Sequence, residues 1–196
     1  MILKHNYYYF KKAIPIKTCK KILKAGRKKI IQEGLVHETV DKTKRDCKIG
    51  WMIDTWIYGI LNPFIHAANK KAGWNFDWDW NESSQFTIYE KGHYYCWHTD
   101  QSNKPYKNKS KNFDGKTRKL SLTLQLTDKT KYQGGDFQFK WIDNSKNDLL
   151  NITTVDDAKD IGTVIIFPSF IWHQVLPITK GKRESLVNWS IGKVFK

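Results

Sequence analysis

A chain of 196 residues, 40% hydrophobic and 14% aromatic with nine Trp, holds enough apolar material for one globular domain and leaves no room for a second catalytic one. Its three cysteines, Cys19, Cys47 and Cys96, are odd in number and lack CxxC spacing, which excludes a disulfide framework and a zinc ribbon. The formal net charge of +15 suits a polyanionic partner, yet Lys, Asn and Ile are abundant throughout, a pattern that coding bias also produces, so the charge alone does not assign nucleic acid.

The first residues, MILKHNYYYFKK, form no uninterrupted apolar run with a cleavage site, and no later stretch is long enough to span a bilayer. A reducing, cytoplasmic setting without membrane contact is the expectation. Residues 16–33 place Cys19, Ile22, Leu23, Ile30 and Ile31 near helical spacing among lysines, predicting an amphipathic helix that Gly34 stops. A second helical pattern runs from Asp54, a residue suited to an N-cap, towards Lys71, with Pro63 placed to kink or divide it.

From Trp74 onward the texture changes to short aromatic and β-branched runs separated by Gly, Asn and Asp. Strands are predicted at 85–89, 94–98, 118–126, 136–141, 162–167, 171–176 and 185–191. Residues 101–117 between the second and third are rich in Lys, Asn and Ser, including Lys104, Lys107, Lys109, Lys111 and Lys116, and predict a mobile loop or lid. Tyr106 and Phe113 are its only large apolar groups and are candidates for gripping a substrate. Gly134, Gly135 and Asp136 predict a turn with positive φ, and Pro168 and Pro177 fit turns flanking a strand.

His98 and Asp100 stand two residues apart at the end of a predicted strand, so both side chains project from one face and reach one metal ion. His173, on the strand 171–176, is the candidate third ligand. Two imidazoles and a carboxylate on one face of an octahedral ion leave three positions open, as in non-haem Fe(II) oxygenases. An H-x-D triplet alone is common by chance. Arg183, ten positions beyond His173 (183 − 173), adds a guanidinium fork that matches a carboxylate in two parallel hydrogen bonds. His5, His37, His66 and His93 have no partner at useful spacing and read as surface or packed histidines.

The stretches QFTIYEKGHYYCWHTD, RKLSLTLQLTD with GGDFQF after it, and IIFPSFIWHQVLPITKGKRESLVNWS together resemble the prolyl 4-hydroxylase-like branch of the Fe(II)/2-oxoglutarate-dependent dioxygenases, over residues 84–191. The resemblance implies a mainly β, α+β fold: a double-stranded β-helix of jelly-roll, cupin-like type in residues 74–196, buttressed by helices in 1–73, within a single domain 1–196. It implies that His98, Asp100 and His173 bind Fe(II) and that Arg183 binds the far carboxylate of 2-oxoglutarate. Tyr89 falls where relatives hydrogen-bond that carboxylate, Tyr95 where they line the pocket, and Asn188 and Trp189 where the last strand closes over the cosubstrate. In such a fold Leu120, Leu122, Leu124 and Leu126 pack under the helices while Thr123 and Gln125 look into the barrel. Relatives often carry a tyrosine where this chain has Gln125.

The activity implied is hydroxylation of a C–H bond, in a protein side chain such as prolyl, with O2 consumed, succinate and CO2 released, and ascorbate as an accessory reductant. The carboxylate at Asp100 favours hydroxylation over halogenation. Three alternatives stand beside it. A nucleic-acid-directed oxygenase of the demethylase kind would share the metal site, but its relatives carry a second arginine six residues after the first, where Trp189 stands here. A zinc hydrolase has no use for Arg183 and Tyr89. A non-catalytic jelly-roll binding module tolerates loss of the triad, which is complete. The substrate, oligomeric state and meaning of the charge are not fixed by the sequence.

Overall fold

A computed structural model describes residues 3–36, 39–107, 110–143 and 149–195; His37 and Lys109 lie outside the described residues. Two antiparallel sheets face each other. The larger, of eight strands, runs in the order β1 (Tyr8–Phe10), β12 (Val164–Pro168), β8 (Lys116–Gln125), β15 (Arg183–Lys193), β6 (Ser84–Tyr89), β4 (Lys48–Met52), β2 (Gln32–Glu33), with β5 (Trp80–Asn81) also paired to β15. The smaller runs β11 (Leu149–Thr154), β10 (Phe137–Asp143), β13 (Trp172–Val175), β7 (Tyr94–His98), β3 (Arg45–Asp46), and β9 (Tyr132–Gly134) pairs with β14 (Ile178–Gly181). This is the expected double-stranded β-helix, with the strand order of a jelly roll alternating between its two sheets.

Alternation along β8 sets the layers. Leu120, Leu122, Leu124 and Leu126 are buried with Ile57, Leu61, Ile65 and Cys19, Ile22 from the two helices, α1 (Ile16–Gly26) and α2 (Thr55–Lys71). On the inner side of the larger sheet, Ile165 and Phe167 pack with Phe137, Phe139 and Val175 of the smaller one. The helices therefore seal one face of the larger sheet, and the site lies between the two sheets.

The seven predicted strands all form, with ends shifted by a few residues. The first helix differs more. It ends at Gly26, well short of Gly34, and Gly26 is seated against Phe86, whose ring would lie 2.5 Å from an added Cβ. The chain then leaves the helix to pair Gln32 with Ile49. The second helix is not divided at Pro63; Ile57 and Leu61 before it and Ile65 and Ala68 after it are buried on one face, and that packing holds both halves in one element. Asp54 occupies the N-cap position without a side-chain cap and pairs with Lys29 at 2.8 Å.

The expectation that residues 1–73 supply only helical support is corrected. That segment also contributes β1, β2, β3 and β4, which extend both sheets through β12, β6 and β7. These short strands owe their existence to a neighbour with open hydrogen-bonding groups, which local periodicity does not reveal.

Candidate active site

β7 and β13 pair so that His98 and His173 are register partners on the inner face of the smaller sheet, with an irregularity one step away where Val175 meets Tyr95. Beyond His98 the chain turns sharply. The backbone N–H groups of Asp100 and Gln101 both donate to the Ser169 carbonyl at 2.9 Å, and this pins Asp100 beneath the two imidazoles. His98 Nε2 lies 3.8 Å from Asp100 Oδ1, and His173 Nε2 lies 3.6 Å from Asp100 Oδ2. One ligand atom from each of the three residues falls within 4.8 Å of the others.

The hydrogen bonds fix what those atoms can do. His98 Nδ1 lies 2.8 Å from the Cys96 carbonyl and His173 Nδ1 3.0 Å from the Ile171 carbonyl. A carbonyl only accepts, so both Nδ1 atoms carry a proton, and both Nε2 atoms are turned towards Asp100. Nε2 is thereby the ring nitrogen placed to offer a lone pair to a cation shared with that carboxylate. The donor set, two imidazoles and one carboxylate with backbone carbonyls orienting the rings, suits a divalent ion such as iron.

Charge states agree with the geometry. Burial pushes the Asp100 carboxyl up, but His173, His98 and Arg118 outweigh it and hold the group at about 2. Burial, with His173 beside it, pushes His98 well below 6.5. At neutral pH the cluster therefore offers a carboxylate and an unprotonated His98.

A cavity of about 480 Å³ runs from this cluster between the sheets, and Arg183, Tyr89, Tyr95, Thr123 and Trp189 all line it. Arg183 opens β15 in register with Tyr89; it is buried, and its guanidinium lies 5.6 Å from the centre of the Tyr89 ring. Among the described residues it has no ion pair with a carboxylate. Burial pushes Tyr89 up, with Arg45 and Arg183 working against the rise. Tyr95 stacks on His98 with ring centres 3.4 Å apart and is pushed up to about 12 by burial. Trp189 lies under the Arg118 guanidinium at 3.9 Å.

Two expected site residues are placed elsewhere. Gln125 does not line the cavity: its side-chain amide donates to the Thr127 carbonyl at 2.8 Å and to the Tyr132 hydroxyl at 3.1 Å. Tyr132, which adjoins Arg183, thus stands between Gln125 and the guanidinium, and it was not among the sequence candidates. Asn188 is fully buried and fastens the strands, donating to the Glu82 carbonyl at 3.0 Å and Ser84 Oγ at 3.1 Å. Gly134 and Gly135 have positive φ as predicted. A Cβ at Gly134 would lie 2.3 Å from the Pro177 carbonyl, so the tight β9–β14 pair beside Arg183 requires glycine there.

Sequence reasoning also missed Arg45, Glu82 and Arg118, all on the cavity wall. Arg118 forks onto Glu82 at 2.8 and 2.7 Å, and Tyr106 of the long loop donates to the same carboxylate at 2.6 Å. The loop is therefore tied to the wall at Tyr106, in contrast to a wholly mobile segment, and Tyr106 and Phe113 pack edge to face at 5.6 Å on the cavity lining. Arg45, Glu82 and Arg118 lie on separate segments of the chain, so no local spacing signals such a network.

Residues 84–191 match the family model of the 2OG-Fe(II) oxygenase superfamily. A PKHD-type hydroxylase from Synechococcus sp. (strain CC9902) is 33% identical over 100 residues, which cover 51% of this chain and 37% of that protein. Another from Pseudoalteromonas atlantica is 30% identical over 105 residues, 54% of this chain and 41% of the relative. The matched region thus spans less than half the length of these curated relatives. Among solved structures, a Pseudomonas putida prolyl-4-hydroxylase superposes with TM-score 0.70 at 19% identity, covering 95% of this chain and 92% of that one. A Trichoplax adhaerens prolyl hydroxylase, in complex with a hypoxia inducible factor oxygen degradation domain peptide fragment, gives 0.66 at 15% identity over 94% and 83%. At such identities the structural likeness speaks for the fold.

Proposed function

Because this chain belongs to the 2OG-Fe(II) oxygenase superfamily, we propose that it is a prolyl 4-hydroxylase-like hydroxylase that oxidises a C–H bond with O2 and 2-oxoglutarate. The observation that carries this reading is the pairing, within one cavity, of the His98–Asp100–His173 cluster with the buried Arg183, which has no carboxylate partner among the described residues. A metal hydrolase has use for the first and none for the second.

His98 Nε2, Asp100 and His173 Nε2 would hold Fe(II), which when bound supplies oxidative decarboxylation of 2-oxoglutarate to succinate and CO2 coupled to hydroxylation. Arg183 takes the far carboxylate of 2-oxoglutarate in its two-pronged fork, with Tyr89 beside it and Tyr132, braced by Gln125, behind it. The Cys96 and Ile171 carbonyls keep the Nδ1 protons in place and so keep both Nε2 lone pairs free for the metal. Tyr95, Thr123 and Trp189 wall the cavity and exclude water from the reacting end.

A protein or peptide side chain such as prolyl is the proposed substrate. The prolyl hydroxylase names among the relatives and the peptide held by the Trichoplax protein support it. Residues 1–196 acting as one unit, an ascorbate requirement and a cytoplasmic location with the three thiols free belong to the same proposal. No helix among the described residues is long and apolar enough to cross a membrane.

The test is succinate formation that depends on both Fe(II) and 2-oxoglutarate, followed by mass spectrometry of a treated lysate for gain of one oxygen on a protein. Succinate at background with iron present, or oxygen gained only on nucleic acid, overturns the reading.

A further inference from the structure

Arg45 enters the cavity from β3, at the edge of the smaller sheet, in register with Tyr95. It is 7% exposed, so its charge is largely removed from water. Its partners are neutral. Nε donates to Cys47 Sγ at 3.0 Å, Nη1 donates to the Leu35 carbonyl at 3.0 Å, and the guanidinium lies 4.6 Å from the centre of the Tyr95 ring. Burial pushes the Cys47 thiol up, against the pull of Arg45, so the sulfur does not supply a negative charge. Among the described residues no carboxylate forms an ion pair with Arg45.

The contrast with Arg118 is direct. Arg118 is partly buried on the same cavity wall, and Glu82 neutralises it with two short hydrogen bonds. A buried guanidinium without a charged partner is costly, and an anion docking beside it would offset that cost. The proposed cosubstrate does not fill the gap, since its far carboxylate is assigned to Arg183. The cavity lining also carries the apolar side chains Leu35, Val36 and Ile49.

Resting on the oxygenase reading above, we propose that Arg45 is a second anion seat in the cavity and that the hydroxylated substrate docks a carboxylate on it. The carboxylate comes either from an acidic residue next to the oxidised one in a peptide or from a small free acid. Lysine at position 45 would keep the charge but lose the fork, so it should serve only in part.

The experiment measures equilibrium binding to the metal-free protein by fluorescence of the cavity tryptophans Trp51 and Trp189. The probes are two matched pairs: the capped peptides Gly-Pro-Asp-Gly and Gly-Pro-Asn-Gly, and N-acetylproline with its amide. The acid of at least one pair should bind about tenfold or more tighter than its neutral partner, the scale of a charge-assisted hydrogen bond. In Arg45→Gln that ratio should fall to about one, and Arg45→Lys should restore part of it. Preference for the aspartyl peptide identifies a peptide substrate; preference confined to N-acetylproline identifies a small acid. Equal binding of acid and neutral partner, no binding of either pair, or a preference that survives Arg45→Gln overturns the proposal. Because binding is read without metal, it stands apart from iron-dependent succinate formation, whose absence would overturn the oxygenase reading instead.

Discussion

His98 and His173 are register partners across β7 and β13, with ring centres 4.0 Å apart and both Nε2 atoms directed at Asp100. The pairing of two strands far apart in sequence is what turns an ordinary H-x-D triplet into a cluster that could hold a metal ion. His98→Ala, Asp100→Ala and His173→Ala should each abolish tight Fe(II) binding in anaerobic equilibrium dialysis while the fold survives by circular dichroism. Full iron affinity in the Asp100 variant would show that the carboxylate is not a ligand.

Arg183 is buried and has no described carboxylate partner, so its removal should be felt by the cosubstrate alone. Arg183→Ala should raise the Michaelis constant for 2-oxoglutarate by about a hundredfold, the equivalent of roughly 3 kcal/mol, with iron affinity nearly intact. Arg183→Lys should fall between, because it keeps the charge and loses the fork. An unchanged constant in the alanine variant would transfer the role to another residue.

Tyr106 ties the long loop to the wall through Glu82, and a hydrogen bond to a carboxylate contributes about 1.5–3 kcal/mol. Tyr106→Phe should therefore loosen the loop and speed tryptic cleavage at Lys107 or Lys111. Cleavage at the wild-type rate would mean that other contacts hold it.

The depressed His98 sets a pH dependence whose sign can be worked out. The folded state keeps this imidazole neutral below 6.5, whereas the unfolded chain takes up a proton there. Stability is thus complete above that value and falls as the pH drops towards the folded-state value. The unfolding midpoint of metal-free protein should decline between about pH 7.5 and 5.5, and His98→Gln should flatten the decline. Equal slopes in both proteins would assign the decline to other groups.

Thiol reactivity should separate the three cysteines. Cys19 is buried and pushed up to about 11 by burial, Cys47 is buried and pushed up in the same way, and Cys96 is exposed. Brief treatment of native protein with iodoacetamide should give one adduct, on the peptide carrying Cys96. Labelling of Cys47 at a comparable rate would contradict its burial under Arg45.

The sequence by itself determined the central strands and the cluster at His98, Asp100, His173 and Arg183. Alternation along β8 and the spacing of ligand and arginine are local patterns, and a strand buried on both faces has little freedom to deviate from them. The same logic separated the leucine face of β8 from the face that carries Thr123. Tertiary structure alone decided the rest. Residues 1–73 supply strands as well as helices, because Tyr8–Phe10 and Lys48–Met52 find open edges beside β12 and β6. Gln125 reaches Arg183 only through Tyr132, whose position depends on the turn at Gly134 and Gly135. Arg45, Glu82 and Arg118 carried no signal in the chain, and the fold brings all three to the wall of one cavity, Arg45 and Glu82 buried and Arg118 partly so. Whether a charge meets a partner, a ligand or water depends on which distant strands pack around it, and no spacing along the chain encodes that distance.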